Sequence, residues 1–260
     1  MDLKLSGRTA LVTGSSKGIG LSVAQWLSHE GVNLFLVARS GDRIEKEAAA
    51  IRKETGVSVG TLAADLSDGA ARERVARSFP DIDILVNNAG AIPGGSIDQF
   101  DEPAWRAGWD LKVYGYIGLT RLYLQKMKER RRGVIINIIG AGGEKLDFGY
   151  IAGAAGNAGL MAFTRAIGGT SPEFGVRVVG VNPGPVMTDR VEVLGRRRAA
   201  TLYGDEKRWR ETFAQMPFGR PATCDEISAS VVFLASDLCS YTSGTIVTID
   251  GGLTYRGQLP

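Results

Sequence analysis

Runs of consecutive apolar, largely β-branched residues recur along the chain at Thr9 to Thr13, Leu34 to Ala38, Ile82 to Val86, Val134 to Ile138, Val176 to Val181 and Ile246 to Ile249, and Val57 to Ala63 adds another. The first six lack apolar–polar alternation, as do strands buried on both faces of a parallel sheet. Between them, Ile19 to Glu30, Asp42 to Thr55, Asp68 to Arg77, Glu102 to Glu129, Ala154 to Ser171 and Asp225 to Ser236 carry apolar residues at helical spacing. Strand and helix alternate throughout. Parallel strands joined by right-handed helical crossovers predict a single α/β domain, a doubly wound sheet with helices on both faces. Its ligand is expected at the C-terminal ends of the strands, where the strand order reverses.

Composition narrows this picture without changing it. The 260 residues are 44% apolar and 23% charged, as expected of one globular domain spanning 1–260, and the net charge of +3 comes without a long block of like charges. Nucleic acid is therefore not an expected partner. Cys224 and Cys239 lack metal-ligand spacing and His29 is the sole histidine, so no metal centre is expected. No apolar stretch approaches the ~18 residues of a membrane span, and the first residues lack a signal-peptide core; a cytoplasmic protein is expected.

The chemistry begins where the first strand runs into Thr13-Gly-Ser-Ser-Lys-Gly-Ile-Gly20. Gly14 permits a tight turn, Gly18 lets backbone approach a pyrophosphate, and Gly20 allows close helix packing, while the new helix offers free N–H groups to an anion. In a strand-turn-helix context this predicts a dinucleotide site.

With Asn87-Asn-Ala-Gly90 after the fourth strand, Asn182-Pro-Gly184 after the sixth and Tyr241 to Gly252 around the last, the chain resembles the short-chain dehydrogenase/reductase family over nearly its whole length. The resemblance implies a Rossmann-type oxidoreductase, homotetrameric or homodimeric, whose dinucleotide meets Gly14, Ser16, Lys17, Gly18, Ile19 and Gly20. It also implies Asp65 and Leu66 beside the adenine, Asn87, Ala89 and Gly90 on the ribose side, and Pro183, Gly184, Val186 and Thr188 at the nicotinamide end. The second strand ends in Val37-Ala-Arg-Ser40, with no acidic residue to accept from a ribose 2′-OH. Arg39 and Lys17 are suited to a 2′-phosphate, so NADP is expected ahead of NAD.

The resemblance implies a catalytic set of a Tyr acting as general acid/base, a Lys lowering its pKa and holding the nicotinamide ribose, a Ser polarising the carbonyl, and an Asn from the helix after the fourth strand. Counted without gaps, the Asn position falls on Lys112, the Ser position on Gly140, and the Tyr and Lys positions on Gly153 and Asn157. A register three residues earlier would use Tyr150 but puts Ala154 in place of the lysine and breaks the match to the helix body. The sequence thus predicts a rearranged site whose candidate catalytic groups are Lys112, Tyr150 and Asn157. Lys112 is expected to point inward with its ammonium near Asn157 and the nicotinamide ribose, and Tyr150 or water to occupy the space over Gly153. Gly153, Gly156 and Gly159 form a smooth strip, read as a packing surface or as a widened pocket. Residues 189–217 correspond to the family's substrate-covering region. Their mixture of apolar side chains with Arg196-Arg-Arg198 suggests a lid over a small-molecule substrate, apolar with an acid group. The other class of function consistent with these substitutions is a non-catalytic dinucleotide-binding sensor, scaffold or partner subunit.

Overall fold

The computed structural model describes residues 2–90 and 92–257; positions 1, 91 and 258–260 of the expected single domain lie outside the described residues. Seven parallel strands, β1 (Thr9–Thr13), β2 (Asn33–Ala38), β3 (Val59–Ala63), β4 (Ile84–Asn87), β5 (Gly133–Ile138), β6 (Val176–Pro183) and β7 (Ile246–Ile249), form one sheet in the order β3-β2-β1-β4-β5-β6-β7. The order reverses between β1 and β4, so the crevice required by a doubly wound sheet opens above these two strands.

Period-two geometry sorts each strand's side chains onto the two faces. Ala10, Val12, Leu34, Leu36, Ile84, Val86, Ile136 and Val179 face a layer formed by α1 (Gly18–His29), α2 (Gly41–Thr55) and α8 (Cys224–Ala235). Leu11, Val37, Leu85, Ile135 and Val178 face the opposite way, toward α3 (Gly69–Ser78) and α5 (Gly115–Arg130). Because both faces are covered, every residue of β5 and β6 is buried, whereas the four residues of the edge strand β7 are only half-buried. This is why the apolar runs do not alternate.

Two departures from the sequence expectation bear on the site. The predicted helix from Glu102 to Glu129 is interrupted: α4 (Glu102–Trp109) and α5 flank a π-helical turn over Asp110–Tyr114. A π turn inserts one residue beyond the α-helical repeat and so alters which side chains face inward. The segment from residue 189 to 217 is itself ordered, with α7 (Asp189–Tyr203) followed by a 3₁₀ stretch, Glu206–Phe213. Ala199, Trp209 and Phe213 give it a small core of its own, separate from those of the sheet.

Candidate functional site

At the switch point a cleft of about 520 Å³ is lined by Gly14, Ser16, Lys17, Gly18 and Ile19 from the glycine loop, Val37 to Ser40 and Arg43 from the end of β2 and the start of α2, Ala64 and Leu66 after β3, Asn88 to Gly90 after β4, Leu111, Thr188 and Asp189. Gly18 has φ +59°, a conformation L side chains rarely adopt. The α1 N-cap, Lys17, makes no side-chain cap hydrogen bond, and no acidic residue stands in the helix's first turn. The first N–H groups of α1 therefore face the cleft with the positive end of the helix dipole and without a competing carboxylate, an arrangement suited to phosphate. The Lys17 ammonium reaches across the mouth to Asp189 Oδ2 at 3.5 Å.

Ten of the sixteen residues expected to meet the dinucleotide line this cleft: Gly14, Ser16, Lys17, Gly18, Ile19, Arg39, Leu66, Ala89, Gly90 and Thr188. The others lie nearby with different work. Gly20 is packed so closely on Asn88 and the Gly14 carbonyl that a Cβ would collide with both. Asn87 is fully buried, its Nδ2 donating to Thr120 Oγ1 at 3.1 Å and Asn137 Oδ1 at 2.9 Å. It is Asn88 that lines the cleft, its Nδ2 holding the Thr13 carbonyl at 2.9 Å and the Gly14 carbonyl at 3.2 Å. Asp65 turns toward Ser67, whose backbone N–H and hydroxyl hold the carboxyl below its usual range, with the Arg39 charge contributing less. Pro183 closes β6, Gly184 packs on Asp250, and Val186 is buried. Arg43 was not singled out by the sequence reading; its signal was a second arginine four residues beyond Arg39, at the first turn of α2.

The end of β5 brings the candidate catalytic residues together. Its continuation places the Ile138 carbonyl 2.8 Å from the Tyr116 hydroxyl, which donates to it, and the Ile139 carbonyl accepts from the Lys112 ammonium. The Lys112 stem lies across Gly90, where a Cβ would come within 2.8 Å of Lys112 Cδ. The Lys112 side chain therefore runs from the π turn across Gly90 to the end of β5, its ammonium meeting the residue before Gly140. Burial, and to a lesser degree Tyr150, pushes the Tyr116 phenol far above the ordinary tyrosine range, keeping it a neutral donor.

Tyr150 corrects one detail and fulfils another. It lies outside the helix, as the N-cap of α6 (Ile151–Thr170) with φ −138° and ψ 34°, so it does not share a helical face with Gly153. Its ring nevertheless folds back into the volume over Gly153, where a Cβ would fall within the ring. The glycine strip on α6 is divided three ways: Gly153 holds Tyr150, Gly156 faces Val113, Trp109 and Ile92, and Gly159 meets nothing within 4 Å. A parallel bridge between Gly95 and Tyr150, with Gly95 N donating to the Gly149 carbonyl at 2.7 Å, ties the segment after β4 to the start of α6. Asn157 is buried beside Gly140, and its Oδ1 has no hydrogen-bond partner.

No group of His, Cys, Asp and Glu among the described residues is arranged to hold a metal, and no described helix is long and apolar enough to cross a membrane. Arg196 pairs with Glu192 and lies over Trp209, while Val193, Leu194 and Leu202 of α7 are exposed.

Comparison with known proteins places this geometry. The profile of the short chain dehydrogenase family matches residues 8–199. The chain is 30% identical over 257 residues to a 3-oxoacyl-(acyl-carrier-protein) reductase of Aquifex aeolicus, an alignment covering 97% of this chain and 100% of that one. It is 33% identical to D-beta-hydroxybutyrate dehydrogenase of Cupriavidus necator, over 95% of this chain and 98% of the relative. Among solved structures, L-sorbose reductase from Gluconobacter frateurii, complexed with NADPH and L-sorbose, superposes with a TM-score of 0.92 at 30% identity, covering 99% of this chain and 100% of that one.

Proposed function

This chain belongs to the short-chain dehydrogenase family, and we propose that it is an NADP-dependent oxidoreductase acting on a hydroxyl/carbonyl pair of a small molecule through a rearranged active site. The observation that carries the reading is the cleft at the sheet's switch point, which joins an uncapped helix N-terminus to Arg39 and Arg43. The residues present fit a dinucleotide. The α1 N–H groups and Gly18 would hold the pyrophosphate, Arg39, Arg43 and Lys17 a 2′-phosphate, Leu66 and Ala64 the adenine side, Ala89 and Gly90 the adenosine-ribose side, and Thr188 the nicotinamide end. Gly20, Asn87, Pro183, Gly184 and Val186 would shape that cleft from behind, and Asp65 would sit at its adenine rim. When bound, the dinucleotide supplies or accepts hydride.

The chain's own residues supply positioning and the proton. With Gly140 and Gly153 at positions where the family carries Ser and Tyr, no side-chain hydroxyl or phenol is attached at either point. The Tyr150 phenol, held over Gly153, is the group we assign to pass a proton to or from the substrate oxygen. Lys112 would return an ammonium to the floor from the π turn, at the Ile139 carbonyl. Residues 189–217 would cover a substrate with an apolar body and an acid group, through the exposed Val193 and Leu194 and the arginines of α7. A homotetramer or homodimer is the expected assembly.

Titration with NADPH and NADH, followed by dinucleotide fluorescence, tests the cofactor assignment; equal affinities would refute it. Ketone-dependent loss of NADPH absorbance tests the reaction. Binding without turnover across a panel of ketones would favour the non-catalytic reading over the enzyme.

A further inference from the structure

The glycine at position 140 points to a role for Asn157 that differs from that of the lysine it replaces. Gly140 follows β5 with φ +126°, a conformation that favours glycine, and is half-exposed at the floor of the site. A Cβ built on Gly140 would meet only two atoms within 4 Å, Asn157 Nδ2 at 3.2 Å and Asn157 Cγ at 3.9 Å. The direction in which the family's serine would project is thus otherwise open, and the one group bordering it is a carboxamide. At the neighbouring Gly142 a Cβ would press on the Tyr150 ring at 3.2 Å and lie 3.7 Å from Asn157 Nδ2, so ring and amide both approach this turn.

The carboxamide is also incompletely satisfied where it stands. Asn157 is only 2% exposed, and its buried Oδ1 has no hydrogen-bond partner. The amide atom that borders the open direction at Gly140 is Nδ2, the donor, while Oδ1 is turned into the protein. A carboxamide held this way, on the helix that also carries Gly153, presents its N–H to an acceptor on a ligand.

We propose that Asn157 is a catalytic residue that donates a hydrogen bond from Nδ2 to the substrate carbonyl oxygen, occupying the polarising role of the absent serine hydroxyl at Gly140. This rests on the oxidoreductase reading above. A fixed amide donor aimed at a developing oxyanion stabilises the transition state more than the ground state. The assignment separates residue 157 from the ribose-holding role implied by its position in the family.

The test uses the full-length protein with ethyl acetoacetate and NADPH, comparing wild type with Asn157→Asp, which keeps shape but presents an acceptor, and Asn157→Ala. Removal of one such donor is expected to lower kcat about 10²- to 10³-fold, with the NADPH dissociation constant changed by less than about threefold, since the proposed bond is to the substrate oxygen and not to the cofactor. A second readout needs no turnover. In the dead-end complex with NADP⁺ and carbonyl-labelled ethyl acetoacetate, the infrared carbonyl stretch should lie below its value in water for wild type and return toward that value in Asn157→Ala. Weaker NADPH binding with unchanged kcat would overturn the proposal and restore the ribose role, as would a carbonyl stretch that is the same in both proteins. Wild type that binds NADPH but neither reduces nor shifts any ketone would instead defeat the oxidoreductase reading itself. Native-like circular dichroism of the variants separates these outcomes from misfolding.

Discussion

Gly153→Ala is expected to be harmful in this protein and beneficial once Tyr150 is gone. In an exposed helix interior alanine is more favourable than glycine by about 1 kcal/mol, and Gly153 stands at the third position of α6. Here, however, the new Cβ would lie 2.5 Å from Tyr150 Cε2 and nearer still to Cζ and Cε1, so the ring must leave its place. Overpacking of this kind costs roughly 1–3 kcal/mol, which outweighs the propensity gain; a net loss of up to about 2 kcal/mol is expected in the wild-type background. With Tyr150→Ala the obstruction disappears, and Gly153→Ala should stabilise by up to about 1 kcal/mol. The coupling between the two substitutions is then about 1–3 kcal/mol, measurable as a double-mutant cycle from urea unfolding of the four proteins. Displacing the phenol should also lower turnover about 10²-fold or more. Equal effects of Gly153→Ala in both backgrounds would refute the view that the tyrosine fills the glycine's space.

Arg39→Ala and Arg43→Ala should each weaken NADPH binding by at least tenfold while leaving NADH within about threefold, because the lost guanidinium faces only the 2′-phosphate; isothermal titration decides, and parallel losses would refute the assignment. Lys112→Met keeps the stem across Gly90 but removes the ammonium that meets the Ile139 carbonyl, so turnover should fall with the fold intact; unchanged turnover would leave Lys112 with a packing role alone. The Glu226 carboxyl, which accepts from Arg220 and from the Thr223 backbone, is held down to about 2. A depressed carboxyl stabilises the fold above its unfolded value, near 4.5, and this contribution fades as pH falls toward 2. Arg220→Gln should therefore flatten the acid limb of stability between these values, and an unchanged limb would show the pair to be solvent-screened. Asp68→Ala removes the side chain that accepts from Ala70 and Ala71 N–H at the start of α3, at a cost of about 1 kcal/mol in the same urea assay.

The seven strands were legible because burial on both sheet faces leaves apolar runs that no other common architecture produces, and their observed limits shift by a few residues at most. The glycine loop was legible because its residue types answer a backbone demand. Asn87 and Asn88 were not separable, since adjacent residues at a strand end point to opposite sides and only the sheet's pleat decides which one meets the cleft. The π turn at Asp110–Tyr114 left no mark in an amphipathic pattern continuous from Glu102 to Glu129. Tyr150 over Gly153 was anticipated from volume, but by way of a helix face; the chain achieves it from an N-cap position instead, through φ/ψ values that no periodicity encodes. Arg43 was overlooked because an arginine at a helix start is usually solvated surface, and its function depends on where β2 delivers it.

The π turn makes the inward Lys112 a matter of counting rather than of composition. A helix turns each successive side chain by about 100°, so deleting one residue between Asp110 and Tyr114 would restore the ordinary repeat and swing the lysine out of register with Ile139 while changing no residue type at the site. A single codon's length thus stands between a helix that brings an ammonium to the end of β5 and one that presents it to solvent, and homologous chains differing by one residue here would have different chemistry beneath the same sheet.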